Sequence, residues 1–228
     1  MRTVDIVIWV LFIIALIFLG WFFKKRMQKE KETRLKMQAE YDKKKETYKF
    51  LREGILDECP REDLSAAALF HCLRKEEEDF DHYFENFNDS EKTVHGIYQV
   101  TLSLQGKNPS LHSFFLSPSN SSYIPIIDDI FNQVGAYELA DLMKAARRFA
   151  EIIENDEEDD DDDPDMGDYA RYNFSDFTNE FLTLVSTTNL NEKIIQFVCD
   201  HKNDFYDDDN VEENKEGDEE NEKSGNEI

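Results

Sequence analysis

The sequence predicts an all-α protein, and three observations predict it. A twenty-residue apolar run, Val4–Phe23, opens the chain. A charged stretch over 24–58 follows, with no proline and one glycine, Gly54. Beyond it, apolar residues recur at spacings of three and four between capping residues, and no alternating run of Val, Ile or Thr is long enough for a strand.

The opening run, VDIVIWVLFIIALIFLGWFF, carries one charge, Asp5, near its edge. At about 1.5 Å per residue a helix of this length covers a hydrocarbon core of roughly 30 Å. Residues 1–23 are therefore expected to form a transmembrane anchor, with the lipid bilayer as a partner. A cleaved signal would need a shorter apolar core and a small-residue cleavage site, which Leu19-Gly20-Trp21-Phe22 does not offer. Arg2 alone is basic before the run, whereas Lys24, Lys25, Arg26, Lys29, Lys31, Arg34 and Lys36 follow it. Basic flanks stay on the cytoplasmic side, so the expectation is a single pass through the cell membrane with the C-terminal domain in the cytoplasm. Trp21 fits an interfacial position and Trp9 a deeper, packed one.

Residues 24–58 read as a polar helical stalk. Met37, Tyr41, Tyr48, Leu51 and Ile55 form a heptad seam broken at Lys44. A dimeric coiled coil wants about three or four sustained heptads, so a solvated stalk whose last turns dock on the domain is favoured.

The domain is expected over 59–206. Asp63 is placed to cap a helix through LSAAALFHCLRKEEEDFDHYF, with Leu64, Ala67, Ala68, Phe70 and Leu73 on its apolar face. Ser90 is placed to cap EKTVHGIYQVTLSLQ, where Val94, Ile97, Tyr98, Thr101 and Leu104 are periodic. LHSFFL is a short apolar helix, and PIIDDIFNQV is helical from Pro125 to the stop at Gly135. AYELADLMKAARRFAEII buries Leu139, Leu142, Met143, Ala146 and Phe149. An acidic loop at 154–168 interrupts the domain. FSDFTNEFLTLVST resumes it, and Asn189 with Glu192 suggests a capping box for the closing helix NEKIIQFVCDHKNDFY. Residues 207–228 are an acidic tail expected to be disordered.

Charge is unevenly spread. Met1–Glu58 holds 13 basic and 9 acidic residues, and Cys59–Ile228 holds 13 basic and 42 acidic ones, within a formal net charge of −25. Such a field repels nucleic acid and attracts basic proteins. The three cysteines, Cys59, Cys72 and Cys199, form neither a disulfide framework nor a CxxC. An EF-hand read from Asp161 would put Met166 at the glycine position and Tyr172 at the last ligand, so no metal site is expected. His71, His82, His112 and His201 have no partners at ligand spacing and are read as structural. No GxSxG, HExxH, Walker A or dinucleotide-binding glycine pattern occurs, so neither an enzyme nor a cofactor is expected.

Three stretches between about Val94 and Phe205 carry a resemblance. They are GIYQVTLSLQGKNPSLHSFFLSPSN (Gly96–Asn120), IFNQVGAYELADLMKAARRF and NEKIIQFVCDHKNDFY. Together they resemble the acidic DNA-mimic protein family, with its Tyr-Gln, polar turn and Phe-Phe, its helix–Gly-Ala–helix, and its closing helix. The family's Asn-Gly-Gly turn is Asn108-Pro109-Ser110 here, and the Gln before Phe-Phe is Ser113. The resemblance implies a helical fold, no catalysis, and binding of a DNA-binding protein through an acidic face.

Duplex DNA presents one negative charge per about 1.7 Å of axis, so mimicry needs rows of carboxylates on ordered elements. The candidates are Glu76, Glu77, Glu78, Asp79, Asp81 and Glu85, then Asp128, Asp129, Glu138 and Asp141, with Glu151 and Glu154 beyond. The expected function is a membrane-anchored acidic module that binds a basic protein, a DNA-binding protein or a toxin, without binding nucleic acid itself. An immunity or antitoxin protein, or a non-catalytic membrane scaffold, is the alternative.

Overall fold

The computed structural model describes the backbone of residues 3–106, 109–156 and 173–207, and the side chains of 24–106, 109–153 and 173–207. Apart from its first residues, the predicted acidic loop lies outside the described residues, as do Asn108 and the tail from 208 onward. Every regular element among the described residues is helical. The chain forms two units, Met1–Thr47 and Tyr48–Ile228.

The first unit is one uninterrupted helix, α1, Thr3–Thr47. The expected transmembrane anchor is corrected here: among the described residues no helix is long and apolar enough to cross a membrane. A span needs about 20 consecutive apolar residues. The described surface of α1, from Lys24 on, is instead charged and exposed at nearly every turn. Its apolar side chains stand in the open, with Met27 66% and Met37 65% exposed. Arg26 pairs with Glu30 at 3.4 Å, and Gln38 donates to Asp42 at 2.8 Å, each four residues on. The expected anchor residues Trp9, Trp21, Lys24, Lys25 and Arg26 all belong to this one helix. The side chains of Trp9 and Trp21 lie outside the described residues.

The expected stalk also ends early. The helix stops at Thr47, and Tyr48 and Leu51 belong to the core of the second unit, Leu51 with no exposure at all. Gly54 takes φ +88 and turns the chain into a single helical turn, α2, Ile55–Glu58. A 3-10 turn at Arg61–Asp63 leads into α3, Leu64–Glu78. Asp63 makes no side-chain cap hydrogen bond there.

The helix predicted to run on through Phe84 breaks at Asp79, where φ −143 and ψ 74 leave the helical region. Glu76, Glu77, Glu78 and Asp79 crowd like charges at the negative end of the helix dipole, which disfavours continuation. A second short turn, α4, Tyr83–Asn86, follows. The next helix, α5, Asp89–Ser103, is capped by Asn88 rather than Ser90. The Asn88 side chain accepts from the Glu91 N–H at 2.9 Å, and the Glu91 carboxylate accepts from the Asn88 N–H at 2.9 Å. Ser90 is buried and donates to Asp204 at 2.6 Å.

Then come α6, Leu111–Leu116, and α7, Ile127–Gln133, which a 3-10 turn through Pro125 introduces. Gly135, at φ +71, folds the chain back into α8, Tyr137–Asp156. Helix α9, Phe174–Thr187, starts at Asn173, which forms a capping box with Asp176. Helix α10, Leu190–Asp200, starts at Asn189 in the left-handed region, φ +51, without the side-chain cap expected of it.

The core gathers around α5, which packs on α3 at one side and on α7 at the other. Gly96 lets α5 and α7 close in: a Cβ there would meet Ile130 Cδ1 at 2.6 Å and the Tyr123 ring at 3.0 Å. Phe114, Tyr123, Phe131, Phe181 and Phe205 are fully buried.

Candidate functional site

The ten predicted carboxylates fall into two groups and do three different jobs. Asp128 is turned inward, 9% exposed, and meets the Arg147 guanidinium at 3.1 Å. Glu76 is half-buried and accepts from Nε2 of the fully buried His95 at 3.1 Å. With Nε2 donating, His95 Nδ1 accepts from the Tyr123 hydroxyl at 2.6 Å. Burial pushes the Tyr123 hydroxyl far up in pKa, so it keeps the proton this bond requires. Asp79 accepts from Asn86 at 3.0 Å and sits 3.2 Å from His82, folding the α3–α4 link on itself.

The other seven are exposed: Glu77, Glu78, Asp81 and Glu85 at the α3–α4 corner, and Asp129, Glu138 and Asp141 on α7 and α8. Glu78 takes a 2.6 Å hydrogen bond from Arg74. Two aromatic side chains stand out among these acids, Phe80 at 69% and Tyr137 at 67% exposure.

A buried charged cluster lies beneath the α3–α4 corner. His71, Arg74 and Lys75 project from α3 at i, i+3 and i+4. His71 Nε2 is 2.8 Å from Glu91, and Lys75 donates to both Glu91 oxygens at 2.7 and 2.9 Å. Arg74 is 3% exposed. It donates to the Lys49 carbonyl at 2.9 Å, to Glu78, and to Asp207 through a short contact. Asp207 also accepts from the Leu51 N–H at 2.7 Å, and its own N–H returns a bond to the Leu51 carbonyl at 2.8 Å. His71 Nδ1 lies 3.6 Å from Asp207, a charge contact longer than a hydrogen bond.

Burial alone would drive the His71 pKa down, but the Asp207 and Glu91 carboxylates outweigh it and the net shift is upward. Burial would raise Glu91, yet the bonds from His71, Lys75 and Asn88 leave it below the ordinary range. Asp207 is likewise lowered against its burial, by His71, Arg74 and Leu51. Sequence reading left His71 as a structural residue and did not find this cluster. One signal was present, the Asn88-x-x-Glu91 capping-box spacing.

Residues 85–201 match the family described as DMP19-like protein. The chain belongs to this family. The DMP19-like domain spans the end of α4 through α10. Asp128, Asp129, Glu138 and Asp141 lie inside it, Glu85 sits at its edge, and Glu76–Asp81 precede it. Glu91 lies within the matched region, whereas His71, Arg74, Lys75 and Asp207 flank it on either side. No curated protein matches the chain, and no solved structure does.

Among the described residues no group of His, Cys, Asp and Glu is arranged to hold a metal ion. A cavity of about 330 Å³ opens between α3, α5 and α10, floored by Leu69, Val94, Ile97 and Ile194, with Ser65, Thr101 and Asn191 among its lining.

Proposed function

We propose that this chain is a non-catalytic acidic interaction module whose exposed carboxylates stand in for nucleic-acid phosphates and bind a basic, DNA-binding protein. One observation carries the reading: Glu77, Glu78, Asp81 and Glu85 are exposed at the ordered α3–α4 corner, where Arg74 holds Glu78 in place. Four exposed carboxylates within nine residues of one corner gather negative charge as the phosphate rows of a duplex do. Phe80, exposed among them, offers a face on which an arginine of the partner can stack.

The test is affinity capture at two salt concentrations, with duplex DNA as competitor. The captured partner is expected to wash off steeply with salt and to be displaced by DNA. Capture is expected to fall about tenfold or more in the variant Glu77→Gln, Glu78→Gln, Asp81→Asn, Glu85→Gln, because opposed charges set association rate and specificity. It is expected to persist when 208–228 is deleted. A partner held equally well by the amide variant, or indifferent to DNA, removes the reading.

A further inference from the structure

The buried cluster has an arrangement that surface binding does not require. It joins the place where the chain enters the second unit, Lys49–Leu51, to the place where the described chain ends, Asp207. It does so through both backbone and side chain: Leu51 N–H to the Asp207 carboxylate, Asp207 N–H to the Leu51 carbonyl, and Arg74 to the Lys49 carbonyl and Asp207 together. The sequence after Asp207 is largely acidic. The closure therefore fixes Asp207, the last described residue, against Leu51.

The geometry points to a pH-sensitive latch: protonated His71, set between Glu91 and Asp207, holds the C-terminal exit onto the Leu51 entry and releases it when the imidazole loses its proton. His71 is 1% exposed. From α5 it faces Glu91, and from the C-terminal segment it faces Asp207. Arg74 and Lys75 share its own helix; Arg74 is also tied to Glu78, and Lys75 to Glu91. Asp204 is engaged beside them by Ser90, and its carbonyl by Asn88. From α10 the polar contact to α3 is Asn191 with Ser65 at 3.4 Å, away from the cluster.

With His71 charged, three cations offset Glu91, Asp207 and the partly exposed Glu78. Without that proton, Arg74 and Lys75 alone face them, and Asp207 loses its imidazole contact. The raised His71 pKa sets the direction: the closure is fully held below the ordinary histidine value and weakens as pH rises through the raised native value. Glu91 and Asp207 set the opposite limit, since their lowered values mean closure is lost only as pH falls through them.

The latch is read by hydrogen exchange of the full chain, at the Leu51 and Asp207 amides, corrected for intrinsic rates. Between about pH 5.5 and about pH 8.5 the protection of both should fall about tenfold, while Phe131 in α7 keeps its protection. H71Q keeps a donor toward Glu91 but no titrating charge, and should abolish the step. D207N should loosen both amides at every pH. No step in the wild type, or a step that survives in H71Q, overturns the proposal. If H71Q does not fold, the His71 ring resonances give the answer. Their titration midpoint should fall in D207N, because one of the two carboxylates raising it is neutralised, and an unchanged midpoint overturns the latch.

Discussion

Replacing Glu91 with glutamine isolates what the buried charge contributes. The carboxylate is 1% exposed and accepts four hydrogen bonds: one from His71, two from Lys75 and one from the Asn88 N–H. A carboxamide keeps one oxygen acceptor, enough for the Asn88 N–H, so the cap survives in part. It turns a donor toward Lys75 or His71, and the charge between them vanishes. Breaking a fully buried pair costs about 3–5 kcal/mol. Here the loss is smaller, because Lys75 is 27% exposed in its side chain and can turn to water, and His71 can give up its proton. About 2–3 kcal/mol is expected. Urea unfolding at pH 6 should show it as a lower midpoint at unchanged slope. Glu85→Gln, an exposed carboxylate, is the control and should change stability by less than about 0.5 kcal/mol. The wild type should lose its His71 contribution as pH rises through the raised pKa, and that loss should shrink in Glu91→Gln because one of the two groups raising His71 is gone. A Glu91→Gln midpoint indistinguishable from that of Glu85→Gln would refute the reasoning.

Two further substitutions test the packing and the turns. Gly96→Ala gains about 1 kcal/mol of helix propensity but drives a Cβ into Ile130 and into a Tyr123 ring pinned by His95 and by Phe84 at 5.0 Å. Overpacking of about 1–3 kcal/mol should win, and thermal melting should show a net loss. Asn189→Ser should cost about 1 kcal/mol and Asn189→Gly almost nothing, because φ +51 is a left-handed position. Serine caps as well as asparagine, so an undiminished melting temperature in Asn189→Ser would restore the capping role read from the sequence.

Periodicity made most of the second unit legible. The apolar stripe of α8 and the bounds of α9 follow from three-and-four spacing, since each helix buries one face against a neighbour. Caps were less legible. Ser90 and Asn88 are both good N-cap residues, and only the three-dimensional position of Asp204, which draws Ser90 aside, decides between them. The break at Asp79 depended on like-charge crowding that periodicity does not weigh. The seam through Tyr48 and Leu51 continued that of the helix before it, which concealed a change of unit at Thr47. Of the ten candidate carboxylates, seven are exposed. Asp128 and Glu76 were drawn inward by Arg147 and His95, residues distant in sequence.

That division bears on how charge should be read in so acidic a chain. Net charge counts Glu91, Asp207 and Asp128 the same as Glu77, although the first three are balanced by Arg74, Lys75, His71 and Arg147 and offer little field to a partner. Desolvation makes such internal carboxylates expensive unless paired, so they consume the domain's basic residues. Arg74 and Arg147 are held in this way at the base of the acidic corner and beside Asp128, leaving less positive charge to offset Glu77, Asp81 and Asp129 on the surface. Pairing inside therefore sharpens the negative field outside. The same Arg74 that fixes Asp207 also fixes Glu78, which makes the closure of the C-terminal exit and the order of the exposed acidic corner two consequences of one guanidinium.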